Sequence, residues 1–125
     1  MPPKITAFPF FVYPVSDMDR ACAFYRDVLG LIETARWDND WVEFSITKDD
    51  TGPALALATD MRNCVPGAQG GAAAIETPDF DAMVAHLKAA GVLFAMEPEK
   101  TSVCHFAHFH DPDGNHLVLH RIHDE

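Results

Sequence analysis

Apolar residues recur at three- and four-residue spacing in two segments of the chain, which predicts two amphipathic helices. The first helix is expected to begin at Ser16, which with Asp19 has the spacing of a capping box, and to end at Gly30. Its apolar stripe consists of Met18, Ala21, Cys22, Tyr25, Val28 and Leu29. The second helix is expected to begin at Thr77 and to end at Gly91. Its apolar stripe consists of Phe80, Met83, Val84 and Leu87.

The spacing of these helix signals indicates an internal repeat. Ser16 and Thr77 are 61 positions apart, and so are Gly30 and Gly91. Each helix follows one β-like run and precedes three, so the repeated unit is βαβββ. The predicted strands are 8–15, 31–37, 41–46 and 54–59 in the first unit and 72–77, 92–96, 103–110 and 116–122 in the second. We therefore predict one α+β domain over residues 1–125, with module 1 at about 5–60, a linker at about 61–70 and module 2 at about 71–123.

The two-residue period of the strands predicts which side chains share a face of the sheet. The face expected to pack on the helices carries Val42, Phe44, Ile46, Ala107, Phe109, Leu117 and Leu119. The opposite, open face carries Trp41, Glu43, Ser45, Cys104, Phe106, His108, His110, His116, Val118 and His120. Five of the seven histidines lie in the last two strands, which marks this region as a candidate for chemistry.

Composition narrows the choice of partners. The chain has 19 acidic and 9 basic residues and a formal net charge of -10, which disfavours binding to a nucleic-acid backbone or to anionic lipid headgroups. No apolar run approaches the roughly 20 residues that are needed to cross a bilayer. The three cysteines, Cys22, Cys64 and Cys104, have neither disulfide-framework nor zinc-knuckle spacing. We expect a cytoplasmic protein that binds a small molecule, and neither nucleic acid nor membranes.

Three stretches of the chain resemble signatures of the vicinal oxygen chelate superfamily. They are residues 15–21 (VSDMDRA), 24–31 (FYRDVLGL) and 111–115 (DPDGN). That superfamily includes glyoxalase I, extradiol dioxygenases, methylmalonyl-CoA epimerase and the fosfomycin- and bleomycin-resistance proteins. The resemblance implies two βαβββ modules in tandem that form an open, cup-shaped mixed sheet with helices on the outer face, in a homodimer. It leaves the function open, because this fold hosts isomerases, lyases, oxygenases and binding proteins.

The metal-binding positions of the superfamily are occupied here by residues that cannot bind metal. Catalytic members hold a divalent ion with His, Gln or Glu on the first and last strands of each module. The resemblance carries these positions onto Phe10, onto Gly71 or Ala72, onto residues 55–57 and onto Val118. None of these side chains offers a lone pair to a metal ion, so the sequence lacks the standard site.

One hypothesis is a glyoxalase/bleomycin-resistance-like protein whose cup holds a small organic molecule without a metal ion. Aromatic side chains would supply the walls of this cup. The candidate ligand-binding residues are Phe8, Phe10, Trp41, Phe106, His116 and Val118. Glu43 and the acidic surroundings would attract a cationic ligand.

The other hypothesis is an enzyme with a relocated site and isomerase, lyase or dioxygenase-type chemistry. Glu43 would act as a base or metal ligand, and His108 and His120 as ligands or proton carriers, with His105 as an alternate ligand. A divalent transition metal is the cofactor that this version suggests. Glu76 and Asp79, near the start of the second helix, are expected to serve the dipole of that helix.

Overall fold

The computed structural model describes residues 2–49, 52–59, 65–67 and 70–123. Module 1 contains β1 (Phe10–Pro14), α1 (Met18–Ala23, continued by a π-helical segment over Phe24–Val28), β2 (Ile32–Trp37), β3 (Trp41–Ser45) and β4 (Ala54–Ala58). Module 2 contains β5 (Ala73–Glu76), α2 (Phe80–Ala89), β6 (Phe94–Lys100), β7 (Cys104–His110) and β8 (His116–Ile122). The predicted tandem of βαβββ units is confirmed. Within the predicted linker, positions 61–64, 68 and 69 lie outside the described residues.

Each module forms one four-stranded mixed sheet. The strand orders are β1-β4-β3-β2 and β5-β8-β7-β6. The first strand of each module pairs in parallel with the last, and the remaining pairs are antiparallel. Since all four strands of one module belong to one sheet, each module offers one face to the helices and one open face.

The helices and the inner faces of both sheets enclose one hydrophobic core. Its fully buried members include Val42, Leu57, Phe109, Leu117 and Leu119. The predicted alternation is therefore confirmed for β3, β7 and β8. The prediction for Ile46 is wrong: its side chain is 83% exposed, because β3 ends at Ser45 and the alternation ends with it.

The predicted helix ends are right at the C-terminal side and displaced at the N-terminal side. Gly30 and Gly91 have φ values of 78° and 81°, the left-handed conformation that ends a helix. The cap of α1 is Asp17, whose carboxylate accepts from the backbone N–H of Arg20 at 3.1 Å. The second helix has its N-cap at position 79, and Thr77 accepts a hydrogen bond from that residue's backbone N–H.

The turn 111–115, called here the inter-module turn, fastens module 2 to module 1. The buried Asp111 carboxylate accepts from the Tyr25 hydroxyl at 2.9 Å and from the backbone N–H groups of Asp113 and Asn115 at 2.9 and 2.8 Å. The Asn115 amide donates to this carboxylate at 2.9 Å and to the Pro14 carbonyl at 2.8 Å. The motif that carried the family resemblance is thus a structural fastener between the modules.

A second carboxylate of the inter-module turn reaches the start of α1. Asp113 accepts from the backbone N–H and the hydroxyl of Ser16, and the Arg20 guanidinium donates to it at 2.9 Å. This contact explains why Ser16 does not cap α1, since its hydroxyl is used across the module boundary.

In the described part of the chain no helix is long and apolar enough to span a membrane.

Candidate functional site

A cavity of about 510 Å³ lies where the modules meet, between β1 and β5, and is called here the seam cavity. Its walls are mostly apolar side chains and small residues: Phe11, Val12, Tyr13, Pro14, Val65, Gly70, Gly71, Ala72, Ala73, Asn115 and His116. Tyr13 on β1 links module 1 to module 2, because its hydroxyl donates to the His116 carbonyl and accepts from the Ala73 N–H. An apolar cavity with few polar groups suits an organic ligand.

An aromatic pair lies on the open face of the first sheet, beside the strand that lines the seam cavity. The rings of Phe10 and Trp41 meet edge to face, with centroids 5.3 Å apart. Their strands are separated by β4, so the rings meet above that strand. Such an approach needs small side chains beneath, and β4 supplies alanines at positions 54, 56 and 58. Phe10 remains 42% exposed, so the pair can receive a further ring.

Glu43 is tied to this aromatic pair. Its carboxylate accepts from the Trp41 indole N–H at 2.8 Å, and its side chain is half-buried. The two residues share a face of β3 because they are two positions apart. The carboxylate therefore fixes the indole and places a negative group at the edge of the aromatic surface.

Three histidines cluster on the open face of the second sheet. His108 Nδ1 and His116 Nε2 are 2.7 Å apart, and the His110 ring centroid lies 5.2 Å from that of His116. The antiparallel register pairs His110 with His116 and His108 with Val118, which brings the rings together. Burial lowers the pKa of His116, and the neighbouring His108 and His110 lower it further. The uncharged form of the His116 ring is therefore favoured where it borders the seam cavity.

His120 is hydrogen-bonded to Glu76, a carboxylate that the sequence analysis assigned to the dipole of the second helix. Glu76 Oε1 lies within hydrogen-bond reach of His120 Nδ1, and Glu76 Oε2 accepts from the Ile122 backbone N–H at 2.7 Å. The His120 hydrogen bond, followed by that from Ile122, lowers the pKa of Glu76. Glu76 thus has two hydrogen-bond partners that the helix-dipole expectation did not include. Its register opposite His120 in the parallel β5–β8 pair is the signal that could have identified it.

The predicted catalytic residues have separate partners. Glu43 contacts Trp41, His108 contacts His116, and His120 contacts Glu76. Among the described residues no three His, Cys, Asp or Glu side chains are grouped so that they could hold a metal ion. The proposed metal set of Glu43, His108 and His120 is thus not assembled.

The remaining predicted positions divide between the two faces of the second sheet. Phe106 and Val118 are half-buried on the open face, where the Phe106 ring centroid is 6.0 Å from that of His108. The predicted alternate ligand His105 lies on the helix side, with its ring centroid 5.6 Å from that of Phe80 in α2. Its odd position in β7 directs it away from His108, which corrects its inclusion in a site on the open face.

The residues do not fit the divalent ion that the superfamily resemblance implies. Phe10 lies in the aromatic pair, and Val118 lies opposite His108 with a hydrocarbon side chain. At the second module's first position, both Gly71 and Ala72 lack a donor atom and border the seam cavity instead. Donor chemistry at these positions therefore favours an organic occupant over a metal ion.

Comparison with known proteins identifies a matching family and similar solved structures. A family model described as Glyoxalase/Bleomycin resistance protein/Dioxygenase superfamily matches residues 7–119. Comparison with curated protein sequences gives no significant match. Among solved structures, TnmS3, an antibiotic binding protein from Streptomyces sp. CB03234, shares 30% identity over 95% of this chain and 98% of that chain, with a TM-score of 0.81.

Two further structures are similar. A glyoxalase/bleomycin resistance protein from Streptomyces sp. CB03234 shares 31% identity over 88% of this chain and 96% of that chain, with a TM-score of 0.74. Lactoylglutathione lyase from Agrobacterium tumefaciens has the same fold at 22% identity, covering 97% of this chain and 96% of that chain, with a TM-score of 0.69. Since the family model spans most of the sequence, this chain belongs to the glyoxalase/bleomycin resistance protein/dioxygenase superfamily.

Proposed function

We propose that this protein binds a small organic molecule with a planar aromatic part, without a metal ion, and acts as a ligand-sequestering protein. The observation that carries the proposal is the half-exposed Phe10–Trp41 pair beside the apolar seam cavity. Stacked or edge-on aromatic contacts add affinity beyond the burial of apolar area. Similarity to an antibiotic binding protein supports a small organic molecule as the ligand.

The polar groups around this surface define the expected ligand further. Glu43 places a carboxylate beside the indole, which favours a cationic group on the ligand over an anionic one. The uncharged His116 ring offers hydrogen bonding at the seam cavity without opposing a cation. A planar aromatic cation is therefore the preferred ligand.

A matched pair of probes tests this proposal: 9-aminoacridine, which is cationic at neutral pH, and acridine, which is neutral. We expect calorimetry to detect tighter binding of the cation. Trp41→Ala should weaken it about tenfold, the equivalent of 1.4 kcal/mol. Leu93→Ala is the control, because Leu93 is 74% exposed just before β6 and lies in the other module, outside the ring pair. Equal losses in both variants, or no binding of either probe, would count against the proposed surface.

A second candidate function, proton transfer on a small substrate, is favoured by the Glu76–His120 pair. A carboxylate that holds Nδ1 of an imidazole leaves Nε2 to act as a base. Glu43 and His108 would then be secondary polar groups of an isomerase- or lyase-type site. The test is deuterium incorporation into dihydroxyacetone in D₂O, with His120→Gln against the control His110→Gln. Exchange that is equal in both variants and in buffer alone would eliminate this candidate.

We also propose that the protein is a cytoplasmic homodimer. Ile5, Phe8 and Phe11 expose apolar surface along and before β1, and apolar surface of this kind is commonly covered in an oligomer. Sedimentation velocity should detect a dimer that dissociates in Phe8→Asp, and a monomer at all micromolar concentrations would contradict it.

The proposed cytoplasmic location is consistent with the free thiols of Cys22 and Cys104, because the cytoplasm is a reducing compartment. Cell fractionation would test that location.

A further inference from the structure

A second pocket, of about 300 Å³, lies on the helix side of the second sheet and is lined by Lys100, His105, Arg121 and His123. We call it the basic pocket. Its position across the sheet from His108 and His120 follows from the alternation of side chains along β7 and β8. It is therefore separate from the proposed ligand surface.

Strand register assembles the basic pocket. Lys100 on β6 is paired with His105 on β7, and His105 is paired with Arg121 on β8, so the three side chains stand in one row. His123 completes the group: its Nε2 is 2.7 Å from His105 Nδ1, and its backbone N–H donates to the Val103 carbonyl at 2.8 Å. The Phe80 ring packs beside His105 on the helix side of the pocket.

Among the described residues, no salt bridge to a carboxylate balances the charges of Lys100 and Arg121. Four other basic side chains form ion pairs with carboxylates, namely Arg20, Arg26, Arg36 and Lys88. Lys100 and Arg121 form no such pair within the part of the chain that the structure describes. In a chain with a net charge of -10, two uncompensated cations in one row are a local reversal of the surface charge.

The pKa of His105 reflects the positive charge of the neighbouring side chains. Burial lowers the pKa of His105, and His123, Lys100 and Arg121 lower it further, against a smaller opposing effect of Asp81 on α2. A bound anion would reverse this influence and favour the charged imidazole. Since protonation and anion binding would then support each other, anion affinity should rise as the pH falls.

We propose that the basic pocket binds a doubly charged oxyanion, such as sulfate, inorganic phosphate or a phosphate group on a metabolite. Two permanent cations match a dianion in charge. The Arg121 guanidinium suits two oxygens of a tetrahedral anion, the Lys100 ammonium supplies a third contact, and the imidazole pair supplies an N–H donor. This site goes beyond the proposed function, and its failure would leave the ligand surface on the open face untouched.

Sulfate is the test probe, because it stays a dianion across the pH range in which histidine titrates. We expect calorimetry at low salt to detect saturable one-to-one binding, tighter at pH 5.5 than at pH 8. Lys100→Gln and Arg121→Gln should each weaken it about three- to tenfold, and the double variant should abolish it. The matched controls are Lys88→Gln and Arg26→Gln, which remove the same charges outside the pocket. Nuclear magnetic resonance should detect a sulfate-dependent rise in the pKa of His105.

Three results would overturn the proposal. They are the absence of saturable binding, equal losses in pocket and control variants, and acetate binding as tightly as sulfate. The second would indicate that binding depends on the overall charge of the protein and not on this pocket. Titration with inorganic phosphate and glycerol 2-phosphate then distinguishes a free ion from a phosphate monoester.

Discussion

Replacing Asp111 with Asn tests whether the inter-module turn is a structural fastener. The wild-type carboxylate accepts four hydrogen bonds: from the Tyr25 hydroxyl, from the Asn115 amide, and from the backbone N–H groups of residues 113 and 115. An asparagine oxygen can keep the two backbone bonds. Its NH₂ group would then face the Tyr25 hydroxyl and the Asn115 amide, both of which are donors in the wild type.

The two displaced donors differ in how well they can adapt. The Tyr25 hydroxyl can rotate and accept a hydrogen bond from the new amide. The Asn115 amide cannot flip without losing its bonds to the Pro14 carbonyl and the Gly67 N–H. One buried donor therefore stays unpaired and the three hydrogen bonds that remain lose their charged partner, which together should cost about 2–4 kcal/mol of unfolding free energy.

Urea unfolding, followed by tryptophan fluorescence and circular dichroism, measures this cost. Tyr25→Phe should lose about 1.5–3 kcal/mol, because it removes a single hydrogen bond to a charged group. The control Asp19→Asn, at an exposed position of α1, should stay within about 0.5 kcal/mol of wild type. Both probes should follow one transition if residues 1–125 act as one domain, as we propose. A loss in Asp111→Asn no larger than in the control would refute the fastener role.

Three further predictions concern other parts of the molecule. Because the pKa of His116 is lowered from 6.5 in the folded state, the unfolded state binds more protons below that value, so stability should fall as the pH drops through 6.5. Urea midpoints at pH 5.5–8 should show a shallower fall in His116→Gln, and an unchanged slope would contradict the assignment. Asp38 has a φ of 50°, so Asp38→Gly should raise the unfolding free energy by about 0.5–1 kcal/mol, whereas Asp38→Val should lower it. Treatment with EDTA should leave the affinity for 9-aminoacridine unchanged, because Phe10 and Val118 occupy metal-ligand positions of the superfamily, and a loss restored by a divalent ion would contradict this.

Local patterns predicted the elements and most strand faces, and a long-range contact accounts for the displaced start of the first helix. The alternation that buries Leu117 and Leu119 is a property of a few neighbouring residues, so the sequence reveals it. Ser16 and Asp17 are both good caps, and the choice between them depends on Asp113, which lies 97 positions away and binds Ser16. A pattern within one segment holds no information about such a partner.

The same distinction explains the outcome for the candidate site. The His108–His116 contact lies within one hairpin, so the register around its turn places the two rings together. The two-residue alternation along β3 also places Glu43 on an open face. That face belongs to the first sheet, whereas His108 and His116 lie on the second. Whether two open faces bring their side chains within reach depends on how the sheets are set against each other. Strand alternation does not encode that angle, so it does not determine whether Glu43 and the histidines converge.

The histidine-rich β7–β8 hairpin therefore carries a different pair of contacting histidines on each of its two faces. On the open face the rings of His108 and His116 contact each other, and the lowered pKa of His116 favours its uncharged form there. On the helix side His105 and His123 bind each other beside two cations, where an added proton is favoured once an anion is present. A metal ion would have to break an imidazole contact on either face without gaining a third donor from the described residues. The alternation of one strand pair thus separates a surface suited to a neutral or cationic organic ligand from one suited to an oxyanion.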